Sequence, residues 1–179
     1  MTEMTEFEKE YQQRVLQWAH DRNIIKGSDA VRQLLKTCTE AKEFVESLAV
    51  HDYKEVEDAI GDQWVTVVIG MAQSAISYQE AIDNGLTWHT SPELFRVVGD
   101  ESLLAPTIVA VGLISDGILK GDKQILSKGY GTYLNVLRLE QDVFEAAVEK
   151  AWNTIKDRKG KMVNGVFVKE QDLAGVTNE

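Results

Sequence analysis

The sequence predicts an all-α fold: an antiparallel helical bundle with a short β-hairpin near its C-terminus. Three observations lead there. Its 179 residues include only two prolines, Pro92 and Pro106, so long stretches can stay helical. Apolar residues recur three and four apart through most of the chain. Short turn signals separate these stretches, which makes successive helices antiparallel neighbours.

A first helix is read over residues 4–22, where Phe7, Tyr11, Val15, Leu16 and Trp18 fall near helical spacing, before Gly27 and Ser28 break it. Ser28 or Asp29 caps a second helix over about 29–50, with Val31, Leu34, Leu35, Cys38, Val45 and Leu48 as its apolar stripe. His51 and Asp52 turn the chain, and Asp52 with Glu55 has capping-box-like spacing for a third helix over about 53–80. From Trp64 to Ala72 this helix is apolar nearly all round and is expected to be buried. The β-branched run Val65 to Ile69 also suits a strand, but no turn signal closes it.

Asn84 and Gly85 end this half, and Leu86 to Ser91 reads as a linker. Ser91 before Pro92 starts the next helix, giving helical stretches at about 92–98 and 101–120. Gly121 ends the second of these, Asp122 caps a helix over 122–139, and a last one covers 140–159. Asn164-Gly165 among the β-formers Met162 to Val168 signals a two-residue hairpin. Gln171 to Glu179 reads as a frayed tail. The chain is thus expected to be one domain: a helical half over 1–85, a second half over 86–140, a C-terminal helix over 141–160, a hairpin over 161–170 and a tail over 171–179.

The net charge of −10 and a pI near 4.8 argue against a nucleic-acid polymer as partner, since such binders present a basic face. A phosphate ligand held through a metal ion stays compatible with an acidic chain. The lone Cys38 leaves neither an internal disulfide nor a thiolate zinc site and fits a reducing cytoplasm. MTEMTEFEKE has no signal-peptide core, and the run Trp64 to Ala72 is too short to span a bilayer. A cytoplasmic protein with no membrane partner is expected.

A shift of 69 positions lays Leu34-Leu35 on Leu103-Leu104, Phe44-Val45 on Leu113-Ile114, and Val67-Val68 on Val136-Leu137. The matched positions are hydrophobic, as a degenerate tandem repeat of a helical pair would require; any two amphipathic hairpins share the same period.

The acids do not repeat. Glu40 and Glu43 lie three apart on the second helix, and Asp58 and Asp62 four apart on the third. Each pair shares a helix face, and an antiparallel turn brings the two faces together. Converging carboxylates repel unless neutralised, and their hard oxygens suit Mg²⁺ or Mn²⁺ rather than zinc. Asp62 stands directly before the apolar run, where an unpaired charge is costly. A solvated acidic face is the plainer alternative.

The segments LLKTCTEAKEFVES, VEDAIGDQWVTVVIGMAQ and WNTIKDRKGKMVNGVFVKE resemble MazG-like nucleotide pyrophosphohydrolases, especially phage-type members. The resemblance covers residues 4–80 and 141–170 and fails over 86–140. It implies the all-α NTP-pyrophosphatase bundle shared with dimeric dUTPases, and a homodimer as a further expectation. Glu40 and Glu43 match the family's ExxE motif, and Asp62 the final acid of its second motif. Three residues before Asp62 stands Ala59, so Asp58, sharing the face, is the substitute fourth ligand. Lys36, Asn153, Lys156 and Arg158 match positions that imply phosphate contacts, and Trp18 an aromatic position near the nucleotide.

The reaction so implied is Mg²⁺-dependent hydrolysis of a nucleoside or deoxynucleoside triphosphate to monophosphate and pyrophosphate, with Glu40 or Glu43 as base. A dUTPase-like hydrolase, or one acting on an alarmone or damaged nucleotide, is the alternative within the enzyme class. A non-catalytic helical interaction protein is the alternative outside it. No P-loop, HExxH or GxSxG motif is present.

Overall fold

Asp29 and Asp52 start the two helices that frame the molecule: their carboxylates accept from the backbone N–H groups of Arg32 and Glu55, satisfying donors that a helix start leaves free. The structure, a computed structural model, describes residues 3–87, 101–138 and 141–175. In chain order its helices are α1 (Glu6–Asp21), α2 (Ile24–Gly27), α3 (Ala30–Ala49), α4 (Tyr53–Gln73), α5 (Tyr78–Asn84), α6 (Glu101–Lys120), α7 (Lys123–Leu137) and α8 (Gln141–Ile155). Strands β1 (Gly160–Val163) and β2 (Val166–Lys169) follow, then a 3-10 turn over Glu170–Gly175. The described residues are therefore mostly helical, with one two-stranded antiparallel sheet among them.

α3 pairs with α4, and α6 with α7; the second pair packs on the first through α3 against α6 and α4 against α7. α1 and α8 cover the other sides of α4, and α5 lies along α7. Every residue from Gln63 to Met71 is buried, which settles this segment as the central helix and not a strand. Trp64, fully buried, stands edge-on to Phe144 at 6.3 Å and donates from Nε1 to the Tyr78 hydroxyl at 3.0 Å. Tyr78 in turn donates to the buried Glu8 carboxylate at 3.0 Å, whose charge is met by Arg138 at 2.7 Å. Glu8 also closes the capping box of α1, accepting from the Thr5 N–H at 2.8 Å.

Four sequence expectations need correction. The helix expected over 53–80 stops at Gln73; Ala75 turns into the left-handed region at φ 53° and Ser77 caps a separate α5. No glycine or proline marks this break. The α3 stripe is rotated from the one expected: Val31, Leu35 and Val45 are exposed, and the buried face is Gln33, Thr37, Glu40, Phe44 and Leu48. The last helix ends at Ile155, leaving Lys156 and Arg158 in the turn beyond it. Residues 170–175 form a turn rather than fraying, and the Glu170 N–H donates to the Lys159 carbonyl at 3.0 Å.

The expected helix at 92–98 lies outside the described residues. The hairpin forms with Met162 opposite Phe167 and Val163 opposite Val166. Asn164 at φ 51° and Gly165 at φ 82° supply the two positive angles that a type I′ turn needs. Of the residues compared across the 69-position shift, Leu137 joins Val67 and Val68 in the main core, while Val136 packs with Phe44, Leu48 and Ala59. Among the described residues no helix is long and apolar enough to cross a membrane.

Candidate active site

The rotated face of α3 meets α4 through polar contacts. Gln33 Nε2 donates to the Thr66 carbonyl at 3.1 Å, and the Thr37 hydroxyl bridges the Gln33 carbonyl and the Thr66 hydroxyl, each at 3.0 Å. One turn further along α3 comes Glu40, 3% exposed and ion-paired with Lys36, whose side chain remains largely in solvent. A buried carboxylate survives there because a cation reaches it from the surface.

These groups open onto a cavity of about 530 Å³. It brings together six of the residues singled out in the sequence: Trp18, Lys36, Glu40, Glu43, Asp62 and Arg158. Apolar walls come from Val65 and Ile69 of α4, and the hairpin closes one side with Met162 and Phe167. Trp18 and Phe167 meet edge-on at 5.8 Å. Arg22 lies over the Trp18 ring at 4.9 Å and donates to the Arg158 carbonyl at 2.8 Å, tying α1 to the turn that carries Arg158.

Glu43 and Asp62 also line a second, smaller cavity of about 260 Å³ with Ser47, Glu55, Asp58 and Lys150. All four predicted acids thus border one of two adjoining spaces, with Glu43 and Asp62 common to both. Among the described residues, however, no three His, Cys, Asp or Glu side chains gather closely enough to hold a metal ion as they stand. Two of the four acids are drawn to lysines instead, Glu40 to Lys36 and Asp58 to Lys150 at 2.6 Å.

Asp62 has no such partner. No hydrogen bond or ion pair reaches its carboxylate among the described residues. Burial pushes its pKa up from 3.8 to about 6; Glu40 and Asp58 push the same way, against Arg158 and Lys36. Arg158 and Lys36 thus act on Asp62 from a distance, without a direct contact. Carboxylate oxygens in general suit a hard divalent cation rather than zinc.

Asn153 and Lys156, expected as phosphate contacts, are exposed and outside both cavities, where the Lys156 ammonium donates to Asn153 Oδ1 at 2.8 Å. Helical spacing is the reason for Asn153, since α8 buries Phe144, Ala147, Val148, Ala151 and Ile155 and turns Asn153 to solvent; Lys156 lies in the turn beyond the helix. Lys150 was missed, although it is the one lysine of α8. Gln33 and Thr66 were missed because only apolar residues were counted when the buried stripe was traced. The spacing 33, 37, 40, 44, 48 is itself a helical face. Arg32 and Lys169 add two further cations to the larger cavity.

No family profile and no solved structure matches this chain. It is similar to a protein named "Uncharacterized 18.2 kDa protein in rep-hol intergenic region" of Haemophilus phage HP1. The two are 28% identical over 111 residues, covering 58% of this chain and 68% of the relative.

Proposed function

We propose that this chain is a Mg²⁺-dependent nucleoside-triphosphate pyrophosphohydrolase of the MazG-like, all-α kind. The observation that carries the reading is one cavity shared by Glu40, Glu43 and Asp62 with Lys36, Arg158 and the Trp18–Phe167 pair. A triphosphate needs cations, a cation-bridged acidic centre and a flat apolar surface for its base, and these side chains supply each.

In this reading Glu40, Glu43 and Asp62 hold Mg²⁺, with Mn²⁺ as substitute, and Asp58 joins them only where Lys150 releases it. The bound ion would offset phosphate charge and lower the pKa of water. Lys36 and Arg158 bind phosphate oxygens, and Trp18 with Phe167 flanks the base. Glu43, exposed and free of any ion pair, accepts the proton of the water that attacks the α-phosphorus. One P–O bond forms to that water and the bond to the bridging oxygen breaks, releasing pyrophosphate.

Incubation with a panel of ribo- and deoxynucleotides plus Mg²⁺ tests this, with monophosphate and pyrophosphate as readouts. The panel includes dUTP, an alarmone and an oxidised nucleotide, so it also separates the dUTPase-like and damaged-nucleotide alternatives. Equimolar monophosphate and pyrophosphate are expected for at least one substrate, and none with EDTA. Silence across the panel would overturn the reading in favour of a non-catalytic helical interaction protein. The exposed Val31 and Leu35, one turn apart on the outer face of α3, favour that second reading.

A further inference from the structure

Gln33 is 8% exposed and lines the larger cavity from α3. Its Nε2 donates to the Thr66 carbonyl at 3.1 Å. A carbonyl can only accept, so this bond fixes which way round the amide lies and leaves Oε1 at its free corner. Oε1 receives no hydrogen bond among the described residues. It is not sealed from solvent, as the unpaired Trp18 Nε1 is, and so opens onto the cavity that Gln33 lines. A few such placed polar groups in an apolar pocket fix the orientation of a ligand.

The groups around Oε1 narrow what that ligand presents. The Thr66 hydroxyl donates to the Gln63 carbonyl at 2.8 Å. The Thr37 hydroxyl directs its hydrogen to the Gln33 carbonyl or to Thr66 Oγ1, each at 3.0 Å. Both hydroxyl hydrogens of this seam are therefore used within the protein, and Gln33 turns an acceptor to the cavity. Val65 and Ile69, on the same stretch of α4 as Thr66, add an apolar wall, and Lys36, Arg158 and Lys169 line the same cavity as cations for a phosphate.

We propose that Gln33 is the specificity-determining residue of this cavity and selects a base with an exocyclic amino group, as adenine, cytosine and guanine have. This rests on the nucleotide reading above and needs no metal ion. The amino N–H donates to Gln33 Oε1. Uracil and hypoxanthine carry a carbonyl oxygen where cytosine and adenine carry that amino group, and two acceptors facing each other stay unpaired and repel. Turning their ring N–H to Oε1 instead brings the neighbouring carbonyl against a seam with no free hydroxyl hydrogen to meet it.

Equilibrium dialysis in EDTA reads nucleotide binding apart from metal-dependent turnover, with dCTP set against dUTP and dATP against dITP. In the wild type the amino-bearing member of at least one pair should bind at least ~10-fold more tightly, as the loss of one hydrogen bond with both groups left unpaired implies. Gln33→Leu, which removes the amide and keeps an apolar side chain of similar reach, should bring that pair within ~3-fold. Tripolyphosphate, which has no base, should bind wild type and variant within ~3-fold, because the cations are untouched.

Equal binding within both pairs by the wild type, or a preference that survives Gln33→Leu, would overturn the proposal; turnover in the Mg²⁺ panel would then leave the hydrolase reading intact. If Gln33→Leu fails to fold by circular dichroism, an analogue decides on the wild type: the purine or 2-pyrimidinone deoxyriboside triphosphate with hydrogen in place of the amino group. It should bind at least ~10-fold more weakly than its amino-bearing parent, and equal binding would overturn the proposal. A wild type that binds none of the four nucleotides in EDTA would overturn it as well, and silence in the Mg²⁺ panel besides would overturn both readings.

Discussion

Asp62→Asn should stabilise the metal-free protein at neutral pH, although it deletes a residue placed at the centre of the site. The Asp62 carboxyl titrates at about 6 in the fold against 3.8 as the ordinary value. That gap corresponds to roughly 3 kcal/mol at 1.36 kcal/mol per pKa unit. Because solvent still reaches part of the side chain, ~1–3 kcal/mol is the expected gain. The sign follows from proton binding. Below 3.8 the carboxyl is neutral in both folded and unfolded chains, and the native state incurs no penalty. Between 3.8 and about 6 the folded chain binds more protons than the unfolded one, so stability falls as pH rises. Above about 6 the full penalty persists, and asparagine, uncharged at every pH, escapes it.

Urea unfolding in EDTA at a series of pH values, for wild type and variant side by side, isolates this limb from the other carboxylates. The variant should gain nothing at the acid end and reach its full advantage by neutral pH, equivalent to ~3–10 °C in Tm for a chain of this size. Mg²⁺ should narrow the gap: at ten times its Kd it adds about 1.4 kcal/mol to the protein that binds it, and the variant, short of a ligand, should gain less. A difference independent of pH, or a variant less stable than wild type throughout, would show that Asp62 is solvated or already neutralised.

Three further perturbations follow from the same geometry. Glu43→Gln should lower turnover by at least ~10²-fold with the helical circular dichroism spectrum unchanged, and near wild-type activity would remove Glu43 from the site. Asn153→Ala and Lys156→Ala should leave kcat and KM within ~3-fold, because an exposed pair outside the cavity contributes little; a large rise in KM would restore them as phosphate contacts. Arg138→Met should cost ~3–5 kcal/mol in urea unfolding, since it strands the buried Glu8 carboxylate, and a loss under ~1 kcal/mol would mean that water reaches that charge.

What the sequence disclosed and what it hid divide along physical lines. Helix starts were readable because Asp29, Asp52 and Asp122 cap through their own side chains, a local event. The hairpin was readable for the same reason, since Asn164-Gly165 needs no distant partner. The break after Gln73 was hidden because its cause is remote: Tyr78 must reach both Trp64 and Glu8, and only the folded chain brings these together. The face of α3 was misread because its burial is polar, satisfied by Thr66 across the helix pair. The acids were found by helical spacing, but Lys150, the partner of Asp58, was not, because that contact joins residues about half the chain apart.

The second helical pair shows why the acidic pocket occurs once among the described residues. At the 69-position shift Asp58 corresponds to Ser127 and Asp62 to Gly131. Ser127 is fully buried and donates to the Glu80 carbonyl at 3.0 Å while accepting from Asn84 at 3.1 Å, so α5 occupies the space its longer acidic counterpart would need. At Gly131 the approach is closer still: a Cβ there would lie 1.7 Å from the Ala81 carbonyl oxygen, and no side chain fits. α7 is thus sealed by α5 on the side where α4 leaves Asp58 and Asp62 open to a cavity. Glu40 and Glu43 correspond to Val109 and Gly112, both exposed, so nothing on α6 would meet an ion there either. Restoring acids to this pair should therefore not build a second centre. Gly131→Asp is expected to unfold the chain rather than bind metal, and a folded Gly131→Asp variant with added Mn²⁺ binding would refute the argument from packing.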